Sequence, residues 1–437
     1  MSTVRLWDSW KRTRLVPSRA RRMALRLSLA VALLGTFVTS LAAASSGPAL
    51  VVNGSITVGT LYASSGQFAG ASMAEFAGLQ AWVRIENSRG GVWVGSLHKR
   101  IPVKLLAYDD HSSVTQASNL YGKLLSNSSV RLLVSDFGTV LTSPAVAVAK
   151  EHQILLFDQT GTASEFFGGS NPYIVLCDLT ASQVWPIPLA HFLIAANLRR
   201  TAVVYDLNGF DATQDQTIVS TLTKAGDAPI ANVSVPTTTT AYGPTLKRLA
   251  VLKPDAIVEL GYQLNDQAFL PAIRHSPIRS RVVFTANPGQ LGNELLAADG
   301  PAALNGTYTY ALPPTVAYQP VNAGMLEGQF ESIFESNGHV SINFLNLAGY
   351  NTGVIIQSAL ASATSTSELG IREALNSDSG NLHTLLGTWR INSAGAQVAI
   401  LPPVARISGS TATHLSAHVV YPLPVQTAVS VAAPTSP

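Results

Sequence analysis

Cysteine is almost absent from this chain: Cys177 is the single one in 437 residues. That excludes an internal disulfide framework and any cysteine-cluster metal site. It also excludes a lipid anchor near the N-terminus, where no cysteine stands to carry the lipid. Charged residues are scarce at 12% and aromatics at 7%. Hydrophobic residues nevertheless make up 47% of the chain. Such a chain buries enough apolar surface to offset the entropy of folding, so disorder is excluded for most of it. Its length exceeds one ordinary core and predicts two domains of about 150–200 residues each.

Catalytic signatures are missing as well. No His-Glu-x-x-His, Gly-x-Ser-x-Gly, P-loop lysine or strand-following Gly-x-Gly-x-x-Gly occurs. The nine histidines (among them His98, His111, His152, His275 and His339) are scattered, and no two share metal-ligand spacing on one predicted helix. Asp109-Asp110 looks like a carboxylate pair, but adjacent strand residues point to opposite faces. The pair is therefore expected to end a strand and cap a helix. No enzyme activity, metal or cofactor is expected.

What is present begins with a charged leader. Residues 1–44 hold eight of the 28 Lys/Arg and one of the 25 Asp/Glu, leaving 20 bases against 24 acids, a net −4, in the rest. The sequence pI of 8.9 thus comes from the leader, and nucleic-acid binding loses its support. Leu27 to Ala44 is apolar and ends in Ala42-Ala43-Ala44-Ser45. A basic n-region, an apolar h-region and small residues at −3 and −1 describe an export signal cut after Ala44. Arg21-Arg22 leaves the twin-arginine route open, and an uncleaved membrane anchor is the competing reading.

After the leader, short β-branched runs alternate with amphipathic stretches. Strands are predicted at Ile56–Leu61, Val103–Tyr108, Arg131–Val134, Ile154–Phe157 and Tyr173–Leu176. The pattern restarts with strands at Thr201–Tyr205, Ile230–Val235, Ala256–Leu260 and Arg281–Phe284. Met73, Phe76, Leu79, Trp82 and Val83 recur at helical spacing between the first two strands. Strands separated by helices imply parallel sheets. The fold class expected is α/β, with two doubly wound lobes and a ligand cleft beyond their strand ends. From 402 to 437 a Pro/Ser/Ala-rich composition predicts a loosely ordered tail.

Several motifs in order resemble type I periplasmic binding proteins of the branched-chain amino acid (Leu/Ile/Val)-binding branch. They are the Ser65-Gly66 loop, Gly90-Gly91-Val92, Asp109-Asp110, Ser143-Pro144-Ala145 and Thr160-Gly161-Thr162. Ala348-Gly349-Tyr350-Asn351 and the Gly387 to Asn392 segment with Gly395 continue the series, so the resemblance spans about residues 54–400. It implies an exported solute-binding protein, a monomer, that delivers an amino acid-like molecule, small carboxylate or amide to an ABC transporter permease. A tethered ligand sensor signalling to a membrane partner is the alternative.

The resemblance also implies a lobe order. Residues 54–176 and 307–385 would form lobe 1, and 177–306 with closing strands at 386–401 would form lobe 2. Crossings would fall near Leu176–Asp178, Asn305–Tyr308 and Leu385–Gly387. Family ligand positions map onto Ser65, Thr139, Gly161 and Thr162 in lobe 1, and onto the aromatics Phe210 and Tyr262 in lobe 2. For Thr139 and Thr162 the plainer reading is helix capping; for the two rings it is ordinary core. Two departures stand out. Ala286 to Gln290 carries no acid where amino-acid binders pair the ligand's ammonium, and Ala71 falls near the position of a family tryptophan. Asp158 and Glu259 are candidates to supply the missing charge.

Overall fold

In parallel sheets both faces are covered, so strands read as apolar runs. Strand β1 (Ile56–Tyr62) is such a run, buried nearly throughout. A computed structural model describes residues 49–169, 171–338 and 342–422. The expected leader over 1–44, His339 and the end of the tail lie outside the described residues. Helix α1 (Ala69–Ser88) follows β1, then a small antiparallel pair, β2 (Val92–Val94) and β3 (Lys99–Ile101). The alternation continues through β4 (Val103–Asp109), α2 (Val114–Ser126), β5 (Val130–Val134), α3 (Gly138–His152), β6 (Leu156–Asp158) and β7 (Ile174–Leu176). These strands form a parallel sheet of order β4-β1-β5-β6-β7.

The second lobe starts with α4 (Ile187–Ala195), β8 (Thr201–Asp206), α5 (Gly209–Lys224), β9 (Ala231–Val235) and α6 (Gly243–Leu252). Next come β10 (Ala256–Leu260), α7 (Gln263–His275), β11 (Val282–Phe284), α8 (Pro288–Leu304) and β12 (Tyr308–Tyr310). The chain then returns to the first lobe as α9 (Glu327–Ser336), α10 (Phe344–Ser362) and α11 (Glu368–Asp378). A hairpin, β13 (Leu382–Thr384) with β14 (Gly387–Trp389), follows. Finally β15 (Val404–Ile407) and β16 (Ala417–Tyr421) add antiparallel strands to a sheet of order β16-β15-β12-β11-β10-β8-β9.

Three expectations are corrected here. The second crossing comes after Tyr310, because Tyr308 pairs with Phe284 inside the second sheet. The segment 386–401 does not close lobe 2. Its strand β14 pairs with β13, and the Trp389 indole N–H donates to Leu176 O at the end of the first sheet (3.0 Å). The closing strands are β15 and β16, which lie within the expected tail; burial of Val404, Ala405 and Ile407 outweighs the proline-rich composition around them. The Asp109-Asp110 expectation holds only for ending the strand, since the cap of α2 is Ser113, whose hydroxyl accepts from Gln116 N.

Helices α1 and α10 pack backbone to backbone. A Cβ on Gly349 would lie 1.8 Å from Glu75 O, and one on Gly78 would lie 2.0 Å from Asn346 O. The Gly349 of the sequence motif is therefore a packing requirement that holds one face of lobe 1 together. Among the described residues no helix is long and apolar enough to cross a membrane. Gly349→Ala is expected to destabilise the protein by at least about 2 kcal/mol through overpacking, measured by urea denaturation. Gly122→Ala, on the exposed face of α2 with nothing within 4 Å, should instead be neutral or stabilise by about 0.4–1 kcal/mol.

Candidate functional site

The C-terminal strand ends of the two sheets meet each other, and rings fill the seam. Phe68 follows β1, Phe137 follows β5, Phe210 opens α5 and Tyr262 caps α7. Tyr262, from the second lobe, stands edge-on to Phe68 (centroids 5.1 Å apart) and Phe137 (5.8 Å) of the first. Phe210 lies 5.8 Å from Tyr262 and 5.0 Å from Trp185. One apolar cluster accordingly runs through both lobes, which stand closed on one another. A small cavity remains, about 200 Å³ when open solvent at its mouth is counted and with room for about one water inside, lined by Phe137, Gly138, Thr160, Leu179, Phe210, Tyr262 and Gln290.

Gly138 admits the Tyr262 ring. Its φ is +67°, and a Cβ there would sit 3.3 Å from both Cε1 and the hydroxyl oxygen of Tyr262. Any other residue at 138 would be strained in backbone and crowded by the ring.

Of the lobe 1 candidates, Thr139, Gly161 and Thr162 lie together just behind this lining. Thr162 N donates to Thr139 Oγ1 (3.2 Å), the Thr162 and Ser182 hydroxyls are 2.8 Å apart, and Gly161 N donates to Asp158 Oδ1 (2.7 Å). Gly138 N donates to Thr160 Oγ1 (2.9 Å), which in turn donates to Glu75 Oε1 (2.6 Å). Thr139 thus holds the neighbouring loop and does not cap its helix. The backbone N–H groups of Gly138, Gly161 and Thr162 each already have an internal acceptor. Ser65 is exposed, bonded to His111 Nδ1 (3.1 Å), and does not line the cavity. Phe210 and Tyr262 do. Phe68, Phe137, Gly138, Leu179 and Gln290 escaped sequence reasoning, for none stands out from its neighbours; Thr160 stood in a motif but was passed over for the two residues after it.

Behind the lining lies a layer of buried carboxyl groups. On the first lobe these are Glu75, Asp136, Asp158 and Asp178; on the second they are Asp206, Asp211, Glu259 and Asp266. The ion pairs Arg89–Glu86, Arg100–Glu86, His111–Asp109 and Arg199–Asp227 all lie elsewhere. Burial without a cation favours the neutral acid. It lifts Asp158 to about 8. With the charges of Asp211 and Asp266 added, it lifts Asp206 to about 9. Burial also raises Asp211 to about 8 and Asp266 to about 7, and moves Glu75, Asp136, Asp178 and Glu259 in the same direction. Hydroxyls and amides soften the effect: Asn351 Nδ2 and Thr352 Oγ1 each donate to Asp178 at 2.7 Å. Asp158 and Glu259 are both fully buried and absent from the cavity lining. Asn287 N donates to Asp266 Oδ2 (2.9 Å), so the acid-free Ala286–Gln290 segment is itself held by an acid. Among the described residues no group of three or more His, Cys, Asp or Glu could hold a metal ion.

A family model described as periplasmic binding protein matches residues 55–402. Comparison with curated proteins returns no match. Among solved structures, the chain is similar to the branched-chain amino acid transporter substrate-binding protein LivJ of Streptococcus pneumoniae in complex with isoleucine. That match has a TM-score of 0.68, 17% identity, and covers 84% of this chain and 99% of that one. A solute-binding protein of an ABC transporter from R. palustris in complex with benzoate gives a TM-score of 0.69 at 16% identity, covering 84% and 96%. A type 1 periplasmic binding protein of Bordetella pertussis gives 0.71 at 13% identity, covering 84% and 100%. At these identities the likeness is one of fold.

The buried acids set the pH dependence of stability. Their folded-state pKa values lie above the unfolded value near 4, so the folded form holds extra protons and loses stability as pH rises from about 4 through 9. Each unit of upward shift costs about 1.4 kcal/mol once the pH exceeds both values. The melting temperature should be higher at pH 5 than at pH 9. Asp206→Asn, which removes one such group, should narrow that difference; a flat or rising profile in the parent protein would contradict the assignment.

Proposed function

Because the chain belongs to the periplasmic binding protein family, we propose that it is an exported solute-binding protein. It closes its two lobes around a small molecule and hands it to an ABC importer. The observation that carries this reading is the ring-walled cavity at the seam, where strand ends of both lobes supply the lining. Opening the lobes would part Tyr262 from Phe68 and Phe137 and expose the α3 N-terminus with its backbone N–H groups, a surface suited to a polar head group. Phe137, Phe210 and Leu179 would cover an aliphatic or aromatic body. Hinged closure around a ligand is the motion such a two-lobed molecule makes.

No lysine or arginine lines the cavity, and the layer behind it is acidic. A head group must therefore be held by hydroxyls, amides and backbone N–H. An amide or a protonated acid meets these partners without the desolvation cost of an unpaired charge. The ligand class is an amino acid-like molecule, small carboxylate or amide with an apolar body. The lining hydroxyl of Thr160 donates to Glu75, whose carboxyl is kept toward its neutral form by burial and is so a poor base, and we read the protein as a binder that transforms nothing. Residues 1–44 would be the export signal.

Thermal-shift screening with isoleucine, leucine, benzoate and benzamide tests the reading, since a ligand bound to the folded form alone raises the melting temperature. A hit is expected to weaken by about 1–3 kcal/mol in Phe210→Ala, from lost ring burial. The Thr139→Ala and Thr162→Ala variants should each cost about 0.5–3 kcal/mol. If a hit kept its affinity in all three folded variants, the cleft would not be its site.

A further inference from the structure

The second lobe is electrically polarised along its strands. At the cleft end its acids are buried. At the opposite end, each of three adjacent strands is entered from exposed cations. Arg199 and Arg200 precede β8, Lys253 precedes β10, and Arg279 and Arg281 precede β11. The register places these approaches level, with Ala256 opposite both Thr201 and Val282. Helices α5 and α7, which return from the cleft, finish there in Lys224 and Arg274, also exposed.

Little cancels this charge. Asp227 lies 3.7 Å from Arg199, Asp255 accepts from Arg200 N (3.3 Å), and Asp299 sits partly buried near the end of α8. The guanidinium partners found are mostly carbonyl oxygens. Arg274 Nε donates to Ala303 O (3.3 Å), Arg279 to Ser276 O (2.9 Å) and Ile278 O (2.8 Å), and Arg200 Nε to Lys253 O (3.3 Å). Such bonds fix the side chains in place and leave their charge outward. Arg274, Arg279 and Arg281 also border a recess of about 680 Å³ of empty space open to solvent. Seven cations against three acids contrast with the net −4 of the chain beyond residue 44.

We propose that this end of the second lobe is a docking face for an anionic phospholipid surface. Five of the seven cations are arginines, whose planar fork matches phosphate oxygens in pairs. Neighbouring strands in a sheet stand about 4.8 Å apart, so the cations form a row across the sheet end and meet a repeating array of phosphates better than one isolated anion. Basic segments close to a membrane are drawn to anionic lipids over roughly a Debye length. The inference rests on the proposed solute-binding function only for placing the protein outside the cytoplasm. A chain that binds no solute yet shows this lipid preference would fail that reading and keep this one.

Co-sedimentation of the full chain with vesicles tests it, comparing phosphatidylglycerol mixed into phosphatidylcholine with phosphatidylcholine alone. The double variant Arg279→Glu/Arg281→Glu is set beside Lys99→Glu/Lys104→Glu, an equal charge change on exposed residues of the first lobe. Both must keep the parent melting temperature. The first variant should lose roughly tenfold or more of its partitioning onto phosphatidylglycerol vesicles, and the second much less. Raising salt from about 50 to 300 mM should erase the preference. Equal loss in both variants would assign the effect to net charge or to the basic leader and overturn the proposal. So would the absence of any lipid preference. Displacement by inorganic phosphate at matched ionic strength would point to a site for a single free anion, and would overturn it as well.

Discussion

The insertion of one ring across the seam governs how this molecule is built. Tyr262 belongs to the second lobe by chain and to the first by contact, edge-on to Phe68 and Phe137 with its hydroxyl against Gly138. That contact explains why residue 138 is glycine in a left-handed conformation. It also explains why the cavity is small. The rings of the two lobes cover one another, so the apolar part of closure is largely satisfied by the protein itself. A ligand gains by replacing these contacts with better ones and by satisfying polar groups that the rings leave alone.

Those polar groups are arranged under the same constraint. Parallel strands deliver backbone and side-chain polar atoms to one edge of each sheet, and here two such edges are pressed together. In water an acid at a strand end is free to ionise. Between two closed lobes burial favours the neutral form of Asp136, Asp158, Asp206 and Asp266, and Asp136, Asp158 and Asp266 hydrogen-bond to hydroxyls and backbone N–H. The cleft is thus acidic in composition and close to neutral in charge. This reconciles the missing ammonium partner at Ala286–Gln290 with the abundance of carboxyl groups nearby.

The alternation of strands and helices was legible because most of the parallel strands are buried apolar runs; Ala256–Leu260 has the same limits in sequence and structure. The short strand Tyr308–Tyr310 was not legible, and the crossing placed before it was misplaced for that reason. The strands β15 and β16 hid in a proline-rich stretch, because Pro402, Pro403 and Pro422 stand just outside them and take no place in the ladder. Of the candidate site, Phe210, Tyr262 and the Thr160-Gly161-Thr162 loop could be named from motif order. Phe68 and Phe137 could not, since an aromatic after a strand reads as core until the opposite lobe is known. The burial of the acids was equally hidden: Asp206 in sequence is an ordinary strand-end residue, and only the facing lobe removes it from water.

The two ends of the second sheet show how one topology produces opposite electrostatics. Strands of one direction gather all their C-terminal loops at the cleft and all their N-terminal approaches at the far end. Acids placed early in α5 and α7, such as Asp211 and Asp266, sit at the positive ends of those helix dipoles; Lys224, Arg274 and His275 sit at the negative ends. Each placement is locally favourable on its own helix. Because the helices run antiparallel to the strands, the local preferences add up. The acids collect where the lobes close and are pushed toward neutrality by burial, while the bases collect at the exposed end. A lobe with little net charge by count therefore presents a positive pole to solvent, and the sign of that pole follows from helix direction as much as from composition.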